Sequence, residues 1–533
     1  MVVVEIGNLY TTVVGLKDTV AIFNLENALS VDTPGASFSA SYRAGMWDGK
    51  TKFARKSKGG IKFPTGLLTN AMKSLKMRGI KYELVDIRTE MEVTVPSEIK
   101  LADPKLGHIT LRDYQQEAVE KSLKATRGVV NVATNGGKTE IACGIMKIVR
   151  NSLGEGQRIV FFTHSKEIFK QSVKRLEKRL GQKVGVIGNG KWEEEQITVV
   201  MIPTITQYLK EPKQPKKTKK MTDYDKALKN YQTRIRNGET DLKEEAKQVR
   251  LEFAEYKAEQ LEKAMEKHKM TKKFLKSVVC FIADECHHAS SDTWYKLFME
   301  LDNAYFRFGL TGTVDEDQPI NLMRLFGSTG RITKKVSNAF LIEHGYSAKP
   351  TINMISYKAP SIVSSYDVAR YDGIICNEHR NHAFLHYIQE ERKQGNQCLI
   401  IVNETEHGDI VGKMLSDSKI DHKFTHGDRA DKFREKVLED FSEGKIHTLI
   451  ATSVLDEGVD ISNIDAIFLM SGGKSMRMAL QRIGRGLRKK DDGRGVNIYD
   501  GLDYHNDYLA DHTMERYNVY KEEQFEIKKV GVK

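Results

Sequence analysis

The sequence predicts an α/β protein built on two tandem parallel sheets, with a small α/β domain ahead of them and a helical hairpin set into the first sheet. Three observations predict it. Between residues 108 and 315, apolar β-branched runs (GVVNVAT, RIVFFTH, ITVVMIP, SVVCFIAD, YFRFGLTGT) alternate with helical patterns, and a strand apolar throughout is one buried on both faces of a sheet. A second series between about 345 and 505 (QCLIIVNE, HTLIATS, DAIFLMS, GVNIYDG) repeats the scheme. The length, 533 residues, exceeds what one hydrophobic core organises, so the two series are expected to form separate domains.

Residues 1–95 read as the small α/β unit: VVVEI and TVAIF have strand character, GLLTNAMKSLKMRG has helical spacing ending at Gly79, and KYELVDI is a strand. Residues 96–107 hold two prolines and no period, which marks a linker. Residues 108–335 and 336–533 are then the two sheet domains, the second closing on a helical tail. Residues 210–276 interrupt the first. After KEPKQPKKTKK, Tyr224, Leu228, Tyr231 and Ile235 recur at helical spacing, as do Leu242, Ala246, Val249, Phe253 and Tyr256. Thr222 with Asp225 matches a capping box, and Asn237-Gly238 breaks the pattern before Thr240 restarts it. The expectation is an antiparallel helical hairpin, in effect a short coiled coil.

The formal charge of +12 is unevenly placed: residues 1–95 hold thirteen basic and nine acidic residues, and residues 210–276 hold twenty and twelve, which together account for all of it. From Arg43 to Lys81 there are eleven basic residues and one acid, Asp48, interleaved with Trp47, Phe53 and Phe63. Basic density with aromatics is the footprint of a polyanion partner, with a solvated basic face as the plain alternative. Arg43, Trp47, Lys50, Lys52, Arg55, Lys56 and Lys58 are the candidate contacts. Five scattered cysteines with no CxxC pair argue against a disulfide framework. No apolar stretch approaches a membrane span and the opening residues lack a signal peptide, so a cytoplasmic protein is expected.

VVNVATNGGKTEIA places a buried strand, a tight Gly136-Gly137 turn, Lys138-Thr139 and then a helix, which aims backbone N–H groups at phosphate oxygens. Lys138 is expected on the β/γ phosphates and Thr139 on Mg²⁺, although Val132 stands where the strict pattern has glycine, and Asn135 where glycine is common. Asp284-Glu285 ends the strand SVVCFIAD, at the carboxyl edge where ligands bind in open α/β sheets. There Asp284 can hold Mg²⁺ and Glu285 can orient the attacking water. A zinc site from Cys286, His287 and His288 is the rival, disfavoured because adjacent side chains on one extended segment point apart.

These segments resemble superfamily 2 helicases and translocases over roughly residues 108–500. LRDYQQ looks like the adenine-reading element, ATNGGKT like motif I, DECH like motif II, LTGT like motif III, TSVLDEGVD like motif V and QRIGRGLR like motif VI. The resemblance implies two RecA-like domains closing on ATP, with nucleotide contacts from Arg112, Gln115, Thr134, Asn135, Gly136, Gly137, Lys138, Thr139, Glu140, Gly458 and Asp460. It implies metal held at Thr139 and Asp284, and catalysis by Lys138, Asp284, Glu285, His287, Gln481, Arg485 and Arg488, the two arginines reaching in from the second domain. Thr163, Thr204 and Thr452, at strand ends, are expected on the nucleic-acid backbone. YRAGMWDGKTKF with FPTGLLTNAMKSL is similar to the amino-terminal part of phage UvsW-type helicases. That implies ATP-dependent remodelling of branched or duplex DNA in recombination, replication and repair, by a monomeric motor in the cytoplasm (of the host cell, if phage-encoded). Recombination or single-strand-binding proteins are candidate partners. The alternatives are an RNA or single-strand helicase, or the motor subunit of a restriction-type nuclease.

Overall fold

A computed structural model describes the chain except for residues 58, 240–241, 315–317, 362–364, 453–463, 474–494 and 532–533, and except for the side chains of residues 290 and 431. The first large sheet has eight strands in the order Lys191–Glu193, Gly185–Gly188, Ile197–Met201, Arg158–Thr163, Val278–Ala283, Phe306–Thr311, Arg127–Val132 and Ile332–Val336. All run parallel except Lys191–Glu193 at the edge. Alternate residues go to opposite sides. Val130, Val132, Ile159, Phe161, Cys280 and Ile282 enter one core, and Val129, Val160, Phe162, Phe281 and Ala283 the other. This two-sided burial is why the strands read as apolar throughout.

The second large sheet has seven parallel strands: Lys423–Thr425, Thr448–Ala451, Cys398–Ile401, Ala466–Leu469, Val496–Gly501, Pro350–Ser356 and Glu526–Gly531. The chain does not close on a helical tail alone. After the helix Asp507–Glu522 it turns back and adds Glu526–Gly531 to the sheet edge. Buried arginines brace this lobe: Arg380 pairs with Asp503 at 2.8 Å and Arg516 with Asp500 at 2.7 Å. The same guanidinium groups donate to the carbonyls of Met470 and Gly473, at the end of the strand Ala466–Leu469.

The amino-terminal sheet is mixed, in the order Arg55–Ser57, Gly60–Pro64, Tyr10–Val14, Val2–Ile6 and Tyr82–Asp86. TVAIF is not a strand. It opens the helix Thr19–Ala28, because the Asp18 carboxylate accepts from Val20 N and Ala21 N, and Ala21 and Leu25 supply a buried stripe four residues apart. The stretch expected as a linker also holds structure: Lys100–Asp103 pairs with Gly107–Thr110, and Leu101 is buried in the first lobe's core.

In the insertion, the helices Lys219–Arg236 and Lys243–Lys276 pack against each other, with Tyr224 stacked on Phe253 at 5.2 Å. The first starts four residues before the anticipated capping box. Thr218, not Thr222, caps it, its hydroxyl accepting from Met221 N. The break at Asn237-Gly238 is where the pattern places it, with Gly238 at φ +101°.

The amino-terminal domain is seated on the first lobe. Met323, from the helix Pro319–Ser328, lies in its core, Phe53 meets Tyr295 edge-on at 6.3 Å, and Arg127 donates to Asn8 O at 2.7 Å. Gly66 makes this possible, since a Cβ there would collide with the Phe326 carbonyl. Gly66→Ala is therefore expected to cost about 1–3 kcal/mol through forced repacking. Limited proteolysis should cut residues 87–98, between this domain and the lobe, faster than in wild type; an unaltered digestion time course would refute the tight-seat account.

Candidate nucleotide site and nucleic-acid face

The helix Lys138–Arg150 begins at the carboxyl end of the strand Arg127–Val132, and Gly137 is its N-cap in the left-handed conformation, φ +79°. With no capping side chain, the first-turn N–H groups stay open for an anion. The left-handed backbone favours glycine there, and a Cβ would also displace the Gln115 amide. Asn135 takes φ +68°, a conformation asparagine tolerates, which accounts for its presence in a glycine's place.

The LRDYQQ segment holds this loop from outside. Tyr114 OH donates to Gly136 O at 2.8 Å, and Gln115 Nε2 to the same carbonyl at 3.1 Å. Gln115 Oε1 accepts from Arg112 N, and the Arg112 guanidinium lies over the Tyr346 ring at 4.3 Å. Tyr114 was not anticipated as a site residue, though it stands inside the motif that was.

Lys138 Nζ meets Glu285 Oε1 at 2.7 Å. Glu285 Oε2 is 3.4 Å from His287 Nδ1, which lies 3.1 Å from Thr311 Oγ1; that hydroxyl donates to Thr313 O at 2.8 Å. Motifs I, II and III are thus joined by one run of contacts. Thr311, within LTGT, is the motif III residue that closes this run, which the spacing of the motif alone does not single out. Asp284 accepts from Glu285 N at 3.0 Å, and its own N–H is tied to Phe162 O. Burial and the neighbouring Glu285 carboxylate push Asp284 up to about 6. Burial opposes ionisation of Glu285 as well, but Lys138, with His287, outweighs it and holds that carboxyl well below its usual range. Lys138 shows the counterpart: burial disfavours its charge, and Glu285 and Asp284 hold it raised. The adjacent carboxylates and a hydroxyl such as that of Thr139 are hard-oxygen donors of the kind Mg²⁺ takes, and the Lys138 ammonium is a donor of the kind a polyphosphate takes.

Cys286, His287 and His288 diverge. Cys286 is buried beneath the sheet, and His288 lies tilted against His164, ring centroids 4.5 Å apart, and against Trp294 at 5.7 Å. Glu140 lies beside Gly137, and its carboxylate is bound by Arg175 at 2.9 Å and Arg179 at 3.3 Å, where Arg179 also holds Asp103. It thereby fastens the helix Lys166–Leu180 to the start of the phosphate-loop helix. Thr134 is half-buried on the phosphate loop.

On the nucleic-acid side, Thr163 and Thr452 follow strands as expected, but both side chains are buried; Thr204 sits half-buried in the helix Ile202–Leu209 rather than at a strand end. Arg43, Lys52, Arg55 and Lys56 are exposed. Lys52 pairs with Asp48 at 2.7 Å, and Arg55 lies over the Tyr10 ring at 5.2 Å. Trp47 is half-buried and donates to Lys50 O, so its ring braces the loop that carries Lys50. Lys58, Gly458, Asp460, Gln481, Arg485 and Arg488 lie outside the described residues.

Two parallel sheets in tandem along the chain, the first with a glycine-bounded phosphate loop facing an acid pair, define the class: a nucleoside-triphosphate-driven motor with tandem RecA-like domains. Comparison with known proteins gives the family. A model described as "Type III restriction enzyme, res subunit" matches residues 108–316, and one described as "Helicase conserved C-terminal domain" matches residues 379–490. The chain is 23% identical over 279 residues to the ATP-dependent DNA helicase UvsW of Enterobacteria phage T4, covering 48% of this chain and 55% of that one. It is 23% identical over 475 residues to the DNA 3'-5' translocase XPB2 of Sulfurisphaera tokodaii, covering 81% and 90%. A fragment of a putative HsdR subunit of a type I restriction enzyme from Vibrio vulnificus shares the fold, with a TM-score of 0.51 at 16% identity over 87% of this chain and 82% of that one. The alignment with the T4 helicase spans about half of that protein's length. The chain belongs to the superfamily 2 helicases, which are ATP hydrolases.

Lys138→Ala and Glu285→Gln are each expected to lower ATP turnover by about 10²–10⁴-fold, the range for removing one positioned acid–base or charge-stabilising group. Steady-state phosphate release checks this, and wild-type turnover in Glu285→Gln would disprove the assignment.

Proposed function

We propose that the protein is an ATP- and Mg²⁺-dependent DNA helicase or translocase that unwinds and remodels branched DNA, regressing forks and migrating Holliday junctions in recombination, replication and repair. The observation that carries the DNA assignment is the seat of the basic amino-terminal domain. It rests on Tyr295, in the helix after the DECH turn, and on the helix Pro319–Ser328, after LTGT. A domain that grips DNA there moves with the elements that carry the hydrolytic residues.

In this reading Thr139 and Asp284 hold Mg²⁺, which when bound supplies positive charge to the phosphates. Lys138 binds and orients the β/γ phosphates, and Glu285 orients the attacking water and takes its proton. His287 carries the state of Glu285 to Thr311. Arg485 and Arg488 reach the γ-phosphate from the second lobe, so that hydrolysis depends on closure, and Gln481, Gly458 and Asp460 complete that face. Gln115 and Arg112 read the adenine. The motor works as a monomer in the cytoplasm, and single-strand-binding or recombination proteins are its candidate partners. Among the described residues, no helix is long and apolar enough to cross a membrane.

ATPase and remodelling measured side by side on single strands, duplex, fork and four-way junction, in DNA and in RNA, test the reading. Stimulation and strand exchange should be strongest on forked and four-way DNA. Stimulation by RNA alone would replace it with RNA remodelling, and translocation on duplex without branch processing would favour a restriction-type motor. Thr311→Val is expected to reduce DNA-stimulated kcat by about tenfold or more while KM for ATP changes little; a KM effect alone would remove His287–Thr311 from the coupling path.

A further inference from the structure

The hairpin's charge is not spread along it. Residues 210–220 and 267–276, at its base, hold eleven lysines and one acid, Glu211, whereas residues 221–266 hold nine basic and eleven acidic residues. Along the arms, charges are matched locally: Arg234 with Glu239 at 2.6 Å, Lys247 with Glu244 at 3.2 Å and Lys263 with Glu259 at 2.5 Å. At the base they are not. Lys269, Lys272, Lys273 and Lys276 fall on one face of the last turns of the helix Lys243–Lys276, and all are exposed. Among the described residues none of the four forms an ion pair, nor do Lys210, Lys213, Lys216 and Lys217 beside them. Pro212 and Pro215 keep that neighbouring segment out of helix, which spaces its lysines apart. Like charges at these helical spacings repel.

The base also has a fixed place. Arg158 N donates to Ser277 O at 2.9 Å, His268 Nδ1 lies 3.1 Å from Tyr208 O, and Phe274 packs edge-on against Trp192 at 5.9 Å. Residues 158 and 278 begin their strands, so the base lies at the amino-terminal edge of a parallel sheet whose carboxyl edge carries the phosphate loop and Asp284. The hairpin base and the nucleotide site thus occupy opposite edges of one lobe.

We infer that the base of the hairpin is a second nucleic-acid contact, a strip that grips the phosphate backbone of a duplex DNA arm at the edge opposite the nucleotide site. Lysines of this kind are point charges on flexible stems without the fork that selects one small anion, and four of them spread over about 10 Å of helix suit a polymer with closely repeated charge. The inference rests on the DNA reading above, and it places the contact at the base of the hairpin, where the lysines are concentrated, and not along the charge-balanced arms.

The test compares wild type, a base variant (Lys269→Gln, Lys272→Gln, Lys273→Gln, Lys276→Gln) and an arm variant (Lys226→Gln, Lys229→Gln, Lys243→Gln, Lys247→Gln). Equilibrium binding to a fluorescein-labelled four-way DNA junction is followed as salt is raised from about 50 to about 200 mM, with DNA-independent ATPase as the control for folding. The base variant should bind about tenfold or more weakly, with its log affinity–log salt slope reduced by about 2 to 4, and the arm variant should match wild type. Wild-type affinity and slope in the base variant, or equal losses in both variants, would overturn the inference while leaving the motor reading intact if wild-type ATPase is still stimulated by DNA. Wild-type protein that neither binds the junction nor responds to any DNA would sink both.

Discussion

Much of this structure is arranged around one half-buried ion pair, Lys138 with Glu285, at the carboxyl edge of the first sheet. Two carboxylates side by side in a partly desolvated site repel, and a cation held against them lets both stay charged. Lys138 is that cation. Its position is set by a helix that starts where it does because the left-handed backbone at Gly137 favours glycine, and Tyr114 and Gln115 together fix the Gly136 carbonyl. Glu285 adopts φ +46°, a left-handed backbone that costs a non-glycine residue about 1–2 kcal/mol. That strain turns its carboxylate back toward Lys138 and His287 instead of along the strand. In the proposed reading, a polyphosphate arriving at the loop would compete with Glu285 for the same ammonium, so that nucleotide binding and the freeing of Glu285 would be one event.

What was legible beforehand followed from period and composition. Strands buried on both faces advertise themselves as unbroken apolar runs, and the phosphate loop and DECH lie at strand ends where the sheet's direction predicts them. What was missed depended on partners that the local sequence does not display. TVAIF has strand propensity, but Asp18 supplies two capping bonds and Leu25 a buried position, and tertiary burial overrode the β-branched run. Thr222 satisfied a four-residue pattern, yet Thr218 lies where the arriving chain meets Tyr256, at 3.3 Å, and that contact sets where the helix begins. Glu140, inside the phosphate-loop motif, is claimed by Arg175 and Arg179 more than thirty residues away.

Buried arginines do comparable work in both lobes. Arg307 donates to the carbonyls of Ser328, Leu301 and Phe298, and burial pushes it down to about 9. It ties the strand after motif II to the helix on which the amino-terminal domain sits. In the second lobe Arg380 and Arg516, each neutralised by an aspartate, hold the carbonyls of Met470 and Gly473. A guanidinium can serve several carbonyls at once where no regular ladder reaches them, and its planar, fixed donors make the arrangement stiff. The pairing with Asp500 and Asp503 offsets the desolvation cost, and the chain leaves Gly473 from a fixed point toward QRIGRGLR.

The hairpin follows from the same geometry. An insertion between two parallel strands must leave and re-enter the lobe, and the sixty-odd residues between Leu209 and Ser277 could do so as a floppy loop at little entropic penalty, because closure cost grows only slowly with length. Instead the chain builds a 34-residue helix whose last turns are bolted to the lobe by Phe274 and His268, and stacks Tyr224 on Phe253 to keep the partner helix in register. Such rigidity is needed only if something at a defined distance and direction must be met. With charge balanced along the arms and concentrated where the helix joins the sheet, the base is the point at which the proposed contact would be made.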